Sequence, residues 1–300
     1  MLGALLSRLH WTFDLAGQFL LPALCILLAV FVLLIVLTLI QPDGAGHGVF
    51  IAVALLALAG GGLTLRTPPG PANPQSAQAI SVYQHNIWVR NPDMDGLVRA
   101  MESADADIVA LVEARPDRFA PFERRLAEHW PHQAWSDNSP MRYARLRLLS
   151  KHEIESWDVR RPRKSPALLR ARLATPDGAL TVIVVHMTRP WPFDTPNAQI
   201  RQFSGLLEWI KEEDGPLIVL GDFNSAAWGR LAQRIVHEQD FQLVNHRHVP
   251  TWPHLAMIPI DLAFCRDGAI CSDHSVAGLH GSDHRAVSFN VRLAGSGTAQ

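Results

Sequence analysis

The chain has 300 residues and a nearly balanced charge, 27 Lys and Arg against 28 Asp and Glu. The balance lacks the basic surplus with which a protein neutralises many duplex phosphates, so nucleic acid ranks low as a partner. Three cysteines are too few for a disulfide-rich scaffold, and their spacing offers no zinc site.

Hydropathy divides the chain. Residues 1–66 carry only Arg8, Asp14, Asp43 and Arg66 as charges. Leu2, Leu5, Leu6, Leu9 and Phe13 repeat at helical spacing, interrupted by Arg8, His10 and Asp14, the pattern of an interfacial helix. Phe19–Ile40 is 22 residues without a charge, and at ~1.5 Å per residue it crosses a hydrocarbon layer of ~30 Å. It is too long for a signal-peptide core, and no small-residue cleavage site follows. Gln41–His47 is a turn-rich break, and Gly48–Leu65 is a second uncharged run of 18 residues. Its Gly60, Gly61 and Gly62 allow close helix packing. The pair reads as a transmembrane hairpin, with the lipid bilayer as its partner. Thr67–Gln78 holds four prolines among small polar residues, the composition of an extended linker. The expected organisation is a membrane segment over 1–66, a linker over 67–78 and a soluble domain over 79–300.

The soluble part alternates apolar runs with amphipathic ones. Ile80–Trp88 and Ile108–Val112 read as strands around a helix over Asp93–Ser103. Leu146–Leu149, Leu168–Leu173 and Leu180–Val185 are further strands. Asn197–Lys211 has helical spacing, and Leu217–Leu220, Ile260–Phe264 and Ala286–Val291 complete the set. Many strands with few helices between them argue for an α+β fold with two packed sheets. The basic run Arg160, Arg161, Arg163, Lys164, Arg170 and Arg172 is either a solvated strand edge or a phosphate contact. Cys25 lies in an apolar run, leaving Cys265 and Cys271 as the one pair whose bonding stays open.

Metal-capable polar residues recur where apolar strands end: Asn86, Glu113, His186, Asp222 with Asn224, Asp261, and Asp283 with His284. One carboxylate at a strand end is a turn former or a helix cap. Several in succession put oxygen ligands at one rim of a sandwich, a set suited to Mg²⁺ or Mn²⁺ rather than zinc.

At these residues the sequence resembles a known family. Leu220-Gly221-Asp222-Phe223-Asn224 and Gly281-Ser282-Asp283-His284-Arg285 are similar to the two signature motifs of the endonuclease/exonuclease/phosphatase superfamily. Asp107–Glu113 resembles its metal-carboxylate strand, with Val112 where the family often has glutamine. Asn86 matches the first-strand asparagine, and His186 followed by Pro190 matches the histidine after the central strand. Pro259-Ile260-Asp261 matches the aspartate that pairs with the last histidine, with Leu262 where many members have histidine. The match spans about residues 80–292, with the motifs in order. Trp228, Thr251-Trp252-Pro253 and the apolar leader resemble the bacterial membrane-anchored members, some of them similar to glycopeptide-resistance proteins that act on undecaprenyl pyrophosphate.

The resemblance implies a four-layer α/β sandwich behind a two-helix transmembrane hairpin in a bacterial inner membrane. It implies Glu113 as the principal Mg²⁺ (or Mn²⁺) ligand, helped by Asn86 and Asp283. Asp222 would direct the attacking water with Asn224 fixing its position, and His284, oriented by Asp261, would contact the phosphate or move a proton. His186 would be a second phosphate contact. The general base stays open between Asp222 and His284. The expected function is hydrolysis of a phosphate ester or pyrophosphate, ranked for a lipid or prenyl carrier first, a nuclease second and an inactive binding module last. The side of the membrane is left open. Arg8 and Arg66 flank a loop without Lys or Arg and lean the domain towards the cytoplasm, whereas an envelope substrate pulls it outwards.

Overall fold

A computed structural model describes residues 11–41, 47–66, 78–136, 145–162, 165–190, 196–254 and 257–294. Residues 67–77 of the expected linker lie outside this set, as does most of the expected interfacial helix.

Among the described residues three helices come first: α1 (Trp11–Gly17), α2 (Leu20–Ile40) and α3 (His47–Leu65). The last two are long and apolar enough to cross a membrane. Their apolar side chains stand outside the protein; Ile26, Leu39, Ile40, Leu56 and Leu63 are all exposed. A helix buried in a water-soluble core would hide them.

The rest forms four layers. The first sheet is built from β1 (Ile80–Asn86), β2 (Ile108–Val112), β3 (His132–Trp135), β4 (Leu146–Ser150), β11 (Ala269–Val276) and β12 (Val287–Leu293). The second holds β5 (Glu153–Arg160), β6 (Leu168–Thr175), β7 (Gly178–His186), β8 (Leu217–Asp222), β9 (Gln242–Leu243) and β10 (Asp261–Arg266). Their strand orders are β11-β12-β1-β2-β4-β3 and β5-β6-β7-β8-β10-β9. Both are mixed: β1 runs parallel to β2 and β7 parallel to β8, while the other pairs are antiparallel.

Three apolar cores follow from the alternation of strand side chains. Val82, Ala110, Leu148, Leu169, Val182, Leu220 and Phe289 fill the space between the sheets. Ile183, Val185 and Val219 point the other way, onto α7 (Pro196–Glu212) and α8 (Arg230–Glu238) through Phe203, Trp209, Leu231 and Ile235. Tyr83, Val109 and Leu111 pack onto α4 (Met94–Ala104) and the short helices α5 (Pro116–Phe119) and α6 (Glu123–His129) through Leu97, Met101, Phe119 and Leu126. Asp93 caps α4, its carboxylate accepting from Gly96 N–H at 2.8 Å.

Cys265 and Cys271 are joined, their Cα atoms 6.2 Å apart. The bond ties β10 of one sheet to β11 of the other, within the inter-sheet core. The basic run is largely committed to ion pairs on the β5–β6 edge. Arg160 meets Glu208 and Glu212, Arg170 meets Asp158, Glu212 and Glu213, and Arg172 meets Glu155. Arg163 and Lys164 of that run lie outside the described residues.

A fourth apolar cluster joins the leading helices to the sandwich. Leu20, at the start of α2, is buried with Ala226, Trp228, Ile258 and Ile260, and Leu21, Leu24, Leu65 and Trp252 pack around them. Trp228 and Trp252 therefore serve this junction.

Candidate active site

Strand register assembles one half of the site in a single row. β7 and β8 pair His186 with Asp222, and β8 and β10 pair Asp222 with Asp261. Gly221 makes the row possible. Its φ is +141°, and a side-chain carbon there would run into the Val185 carbonyl oxygen of the neighbouring strand. Asn224 then turns back at φ +45°, a left-handed conformation asparagine tolerates. Its N–H donates to Asp222 Oδ1 at 2.8 Å, and its Nδ2 donates to Met187 O at 2.9 Å and Asp222 Oδ2 at 3.2 Å.

The other sheet supplies the second half. The β1–β2 register places Asn86 opposite Val112, one residue from Glu113. Glu113 leaves its strand at φ +62°, a costly conformation for a glutamate that persists because its carboxylate is held. Val89 N–H donates to Oε2 at 2.7 Å, and Asn86 Nδ2 reaches Oε1 at 3.3 Å. The same Nδ2 donates to Asp222 Oδ2 at 2.9 Å. One amide thus links the carboxylates of the two sheets.

The histidines close the ring. His186 Nε2 stands 3.7 Å from Asp222 Oδ2 and 4.0 Å from Glu113 Oε1. His284 Nδ1 is 2.8 Å from Asp261 Oδ2, and its Nε2 lies 3.9 Å from Asp222 Oδ2. Burial works against charging the His284 ring, but Asp261 beside it, with Asp222 and Asp283 nearby, pushes its pKa up to about 10. The structure therefore brings Asn86, Glu113, His186, Asp222, Asn224, Asp261 and His284 into direct contact. Asp283 stands apart from that network: it is half-buried and makes no hydrogen bond or ion pair with a described residue.

Several supporting residues carried no sequence signal of their own. His85 is fully buried, and burial lowers its pKa to about 3, so the ring is neutral. Its Nε2–H donates to the His284 carbonyl at 3.0 Å, which leaves Nδ1 to accept from Tyr83 OH at 3.2 Å. Asn245 Nδ2 donates to Asp261 O at 2.9 Å. Two others sit inside quoted motifs. Ser282 Oγ donates to Asn86 O at 2.6 Å and accepts from His284 N–H at 3.1 Å. Thr251 Oγ1 accepts from the N–H groups of Ile260 and Asp261, both at 3.0 Å. Arg189 brings an exposed guanidinium to the rim, 3.4 Å from Asn224 Oδ1.

This order of site residues decides the family, because a model of the endonuclease/exonuclease/phosphatase family matches residues 83–284. The chain belongs to that family. Endonuclease/exonuclease/phosphatase proteins are hydrolases of phosphate esters, among them phosphodiesterases, nucleases and phosphatases, and they are generally divalent-metal dependent. Solved structures share the fold. One is an endonuclease/exonuclease/phosphatase from Beutenbergia cavernae, 17% identical, covering 73% of this chain and 72% of that one with a TM-score of 0.57. Another is TDP2 from D. rerio complexed with a single-strand DNA product, 17% identical over 72% of this chain and 100% of that one, TM-score 0.58. A third is the human Nocturnin catalytic domain with a bound sulfate anion, 14% identical over 72% and 95%, TM-score 0.56. No curated protein matches the chain.

The donor chemistry fits the metal on which the family generally depends. Asp222, Asp261 and His284 each offer a ligand atom within 4.8 Å of the others. Glu113 and Asp222 converge on one asparagine amide, with Asp283 close enough to favour charge on His284. Three carboxylates, those of Glu113, Asp222 and Asp261, thus gather around two imidazoles with Asp283 nearby, and Oδ1 of Asp261 is buried without a hydrogen-bond partner among the described residues. Such an oxygen-rich, acid-heavy pocket calls for a hard cation.

Proposed function

We propose that the chain is a membrane-tethered, divalent-metal-dependent phosphoesterase that hydrolyses a phosphate ester or pyrophosphate of a lipid or prenyl carrier. One observation carries the substrate class. The loops that follow Asn224 and precede Asp261 pack against the start of α2 and the end of α3, so the rim of the site sits where two membrane-length helices emerge. The pairing of Arg160, Arg170 and Arg172 with carboxylates supports the same reading, because it leaves those three arginines less free to grip nucleic-acid phosphates.

Asn86, Glu113 and Asp283 would hold Mg²⁺ or Mn²⁺. We separate them from the Asp261–His284 pair, because the 2.8 Å bond between those two sets the ring so that Nε2 faces the Asp222 side. The ion supplies charge neutralisation on a phosphate oxygen and on the leaving oxygen. Asp222, fixed by Asn86 and Asn224, orients the attacking water and takes its proton. His284 gives its Nδ1–H to Asp261 and turns Nε2 towards the Asp222 side, where it meets the phosphate. His186, between Glu113 and Asp222, is a second phosphate contact. On purified full-length protein, kcat/KM for detergent-solubilised prenyl pyrophosphate should exceed that for plasmid DNA by ~10²-fold or more. Efficient plasmid nicking without lipid turnover reverses the ranking and makes the chain a nuclease.

We place the domain on the non-cytoplasmic face of a membrane of the bacterial inner-membrane type. Disulfides persist in oxidising compartments, and the buried Cys265–Cys271 bond weighs more than one charge at each end of the hairpin. Alkaline phosphatase fused after Gln78 should be active and green fluorescent protein dark, and both thiols should resist alkylation until reduced. A bright fluorescent fusion with freely alkylated thiols puts the domain in the cytoplasm instead.

A further inference from the structure

The loop Asn224–Arg230 leaves the active site and enters α8, and its one internal backbone bond, Gly229 N–H to Ala226 O at 2.7 Å, leaves other donors to be met from outside. Gly229, the N-cap residue of α8, makes no side-chain cap. Ala226 N–H and Arg230 N–H have no acceptor within the loop, and buried donors need one. Both find it some 200 residues back in the chain. Gln18 Oε1 accepts from Ala226 N–H at 2.6 Å, and Asp14 Oδ1 accepts from Arg230 N–H at 2.7 Å. Trp228 Nε1 donates to Gly17 O at 2.7 Å. Leu20 seals the junction beside Ala226, Trp228, Ile258 and Ile260.

The heart of this junction is withdrawn from water. Gln18 keeps 6% of its surface exposed, Leu20 and Trp228 2% each, and Ala226 none; Asp14 is half-buried at its margin. An interfacial helix would have turned its polar side chains outwards; this segment turns them into the domain. The neighbouring bonds then run straight to the catalytic groups. Phe223 N–H donates to Ile260 O at 2.9 Å and Ala227 N–H to Pro259 O at 3.1 Å, tying the loop to the strand that starts at Asp261. Asn224 is four residues from Trp228 and holds Asp222 directly.

We propose that Asp14 and Gln18 are positioning residues of the active site. From α1 and the turn that leads into the first long helix they cap α8 and fix the Asn224–Arg230 loop, so the hydrolysis step is geared to a docked tether. This inference rests on the phosphoesterase reading and adds a function for the leader beyond anchorage. It separates two kinds of tether. A passive one raises the local concentration of a lipid substrate and leaves the turnover of a soluble one untouched. A positioning one governs both.

The test is steady-state kinetics of full-length protein in detergent with Mg²⁺ on a soluble aryl phosphodiester and on prenyl pyrophosphate. Asp14→Ala and Gln18→Ala should each lower kcat by about tenfold on both substrates while KM stays within about twofold. Asp14→Asn keeps an acceptor oxygen at the cap and should restore kcat to within about twofold. All three should retain a cooperative unfolding transition. An active chain whose kcat is indifferent to the double Ala substitution overturns the proposal while leaving the phosphoesterase reading intact. So does a loss that Asp14→Asn fails to reverse, or one that accompanies loss of cooperative unfolding. A wild-type chain that hydrolyses neither substrate sinks the phosphoesterase reading and takes this inference with it.

Discussion

Asp222→Ala should lower kcat by roughly 10³-fold or more while the protein still folds. The size follows from how many functions converge on this side chain. It lies in the row His186–Asp222–Asp261 at the centre of the second sheet, and it accepts from both Asn86 and Asn224. Its removal takes away the proton acceptor and frees the asparagine amide that joins the two sheets. The substitution also leaves one N–H of that amide unsatisfied in a buried place, the other still reaching Glu113, which costs about 1–3 kcal/mol of stability. The loss in kcat, though, should far exceed what partial unfolding at the assay temperature accounts for. Thermal unfolding measured beside the kinetics separates the two. Near wild-type turnover of Asp222→Ala on the best substrate would falsify the mechanism.

Turnover should also disappear when divalent metal is chelated, and return with Mg²⁺ or Mn²⁺. Glu113→Gln should cost about 100-fold or more in activity at limiting metal, and excess metal should recover part of it. The reasoning is electrostatic. Glutamine keeps the acceptor for Val89 N–H and the shape of the turn, but removes one of the carboxylates around the site. A purely structural role for Glu113 predicts a small change and an unaltered metal requirement. Titration calorimetry with Mn²⁺ gives a second readout, in which the variant should bind more weakly. Full activity in EDTA excludes the metal-dependent scheme.

The sequence made legible the strands whose apolar runs end in polar residues, and with them most of the site. Ile108–Val112, for example, is completely buried, so its composition could not be mistaken. Strand β5 escaped because it is a sheet edge: Glu153–Arg160 is mostly exposed and alternates charge with apolar residues. Strand β9 has only two residues, too few for any period. The helices over 116–129 gave no clear period because their buried positions, Phe119, Phe122 and Leu126, are widely spaced among arginines and glutamates. At the site, the motif residues were visible through their order along the chain. His85 and Asn245 were not, since their roles come from backbone groups brought near by register. The docking of Asp14 onto Arg230 spans 216 positions, a pairing that no local pattern encodes. The first helix was expected at a lipid surface on its apolar spacing. Asp14, which interrupted that pattern, is the residue that fastens it to the domain.

The Cys265–Cys271 bond has a mechanical meaning as well as a chemical one. Asn86 and Glu113 come from one sheet and its edge, and His186, Asp222 and Asp261 from the other, so the candidate site is a seam between two slabs. A slip of one strand residue, ~3.3 Å, would misalign its halves beyond use. The interdigitated core between the sheets opposes such slip, and the cross-link adds a covalent stop. The cross-link sits four residues along β10 from Asp261, ~13 Å away, at the opposite end of the sandwich. It works as the rivet of a pair of shears, setting the blades in line at the far end so that their edges meet at the cutting end.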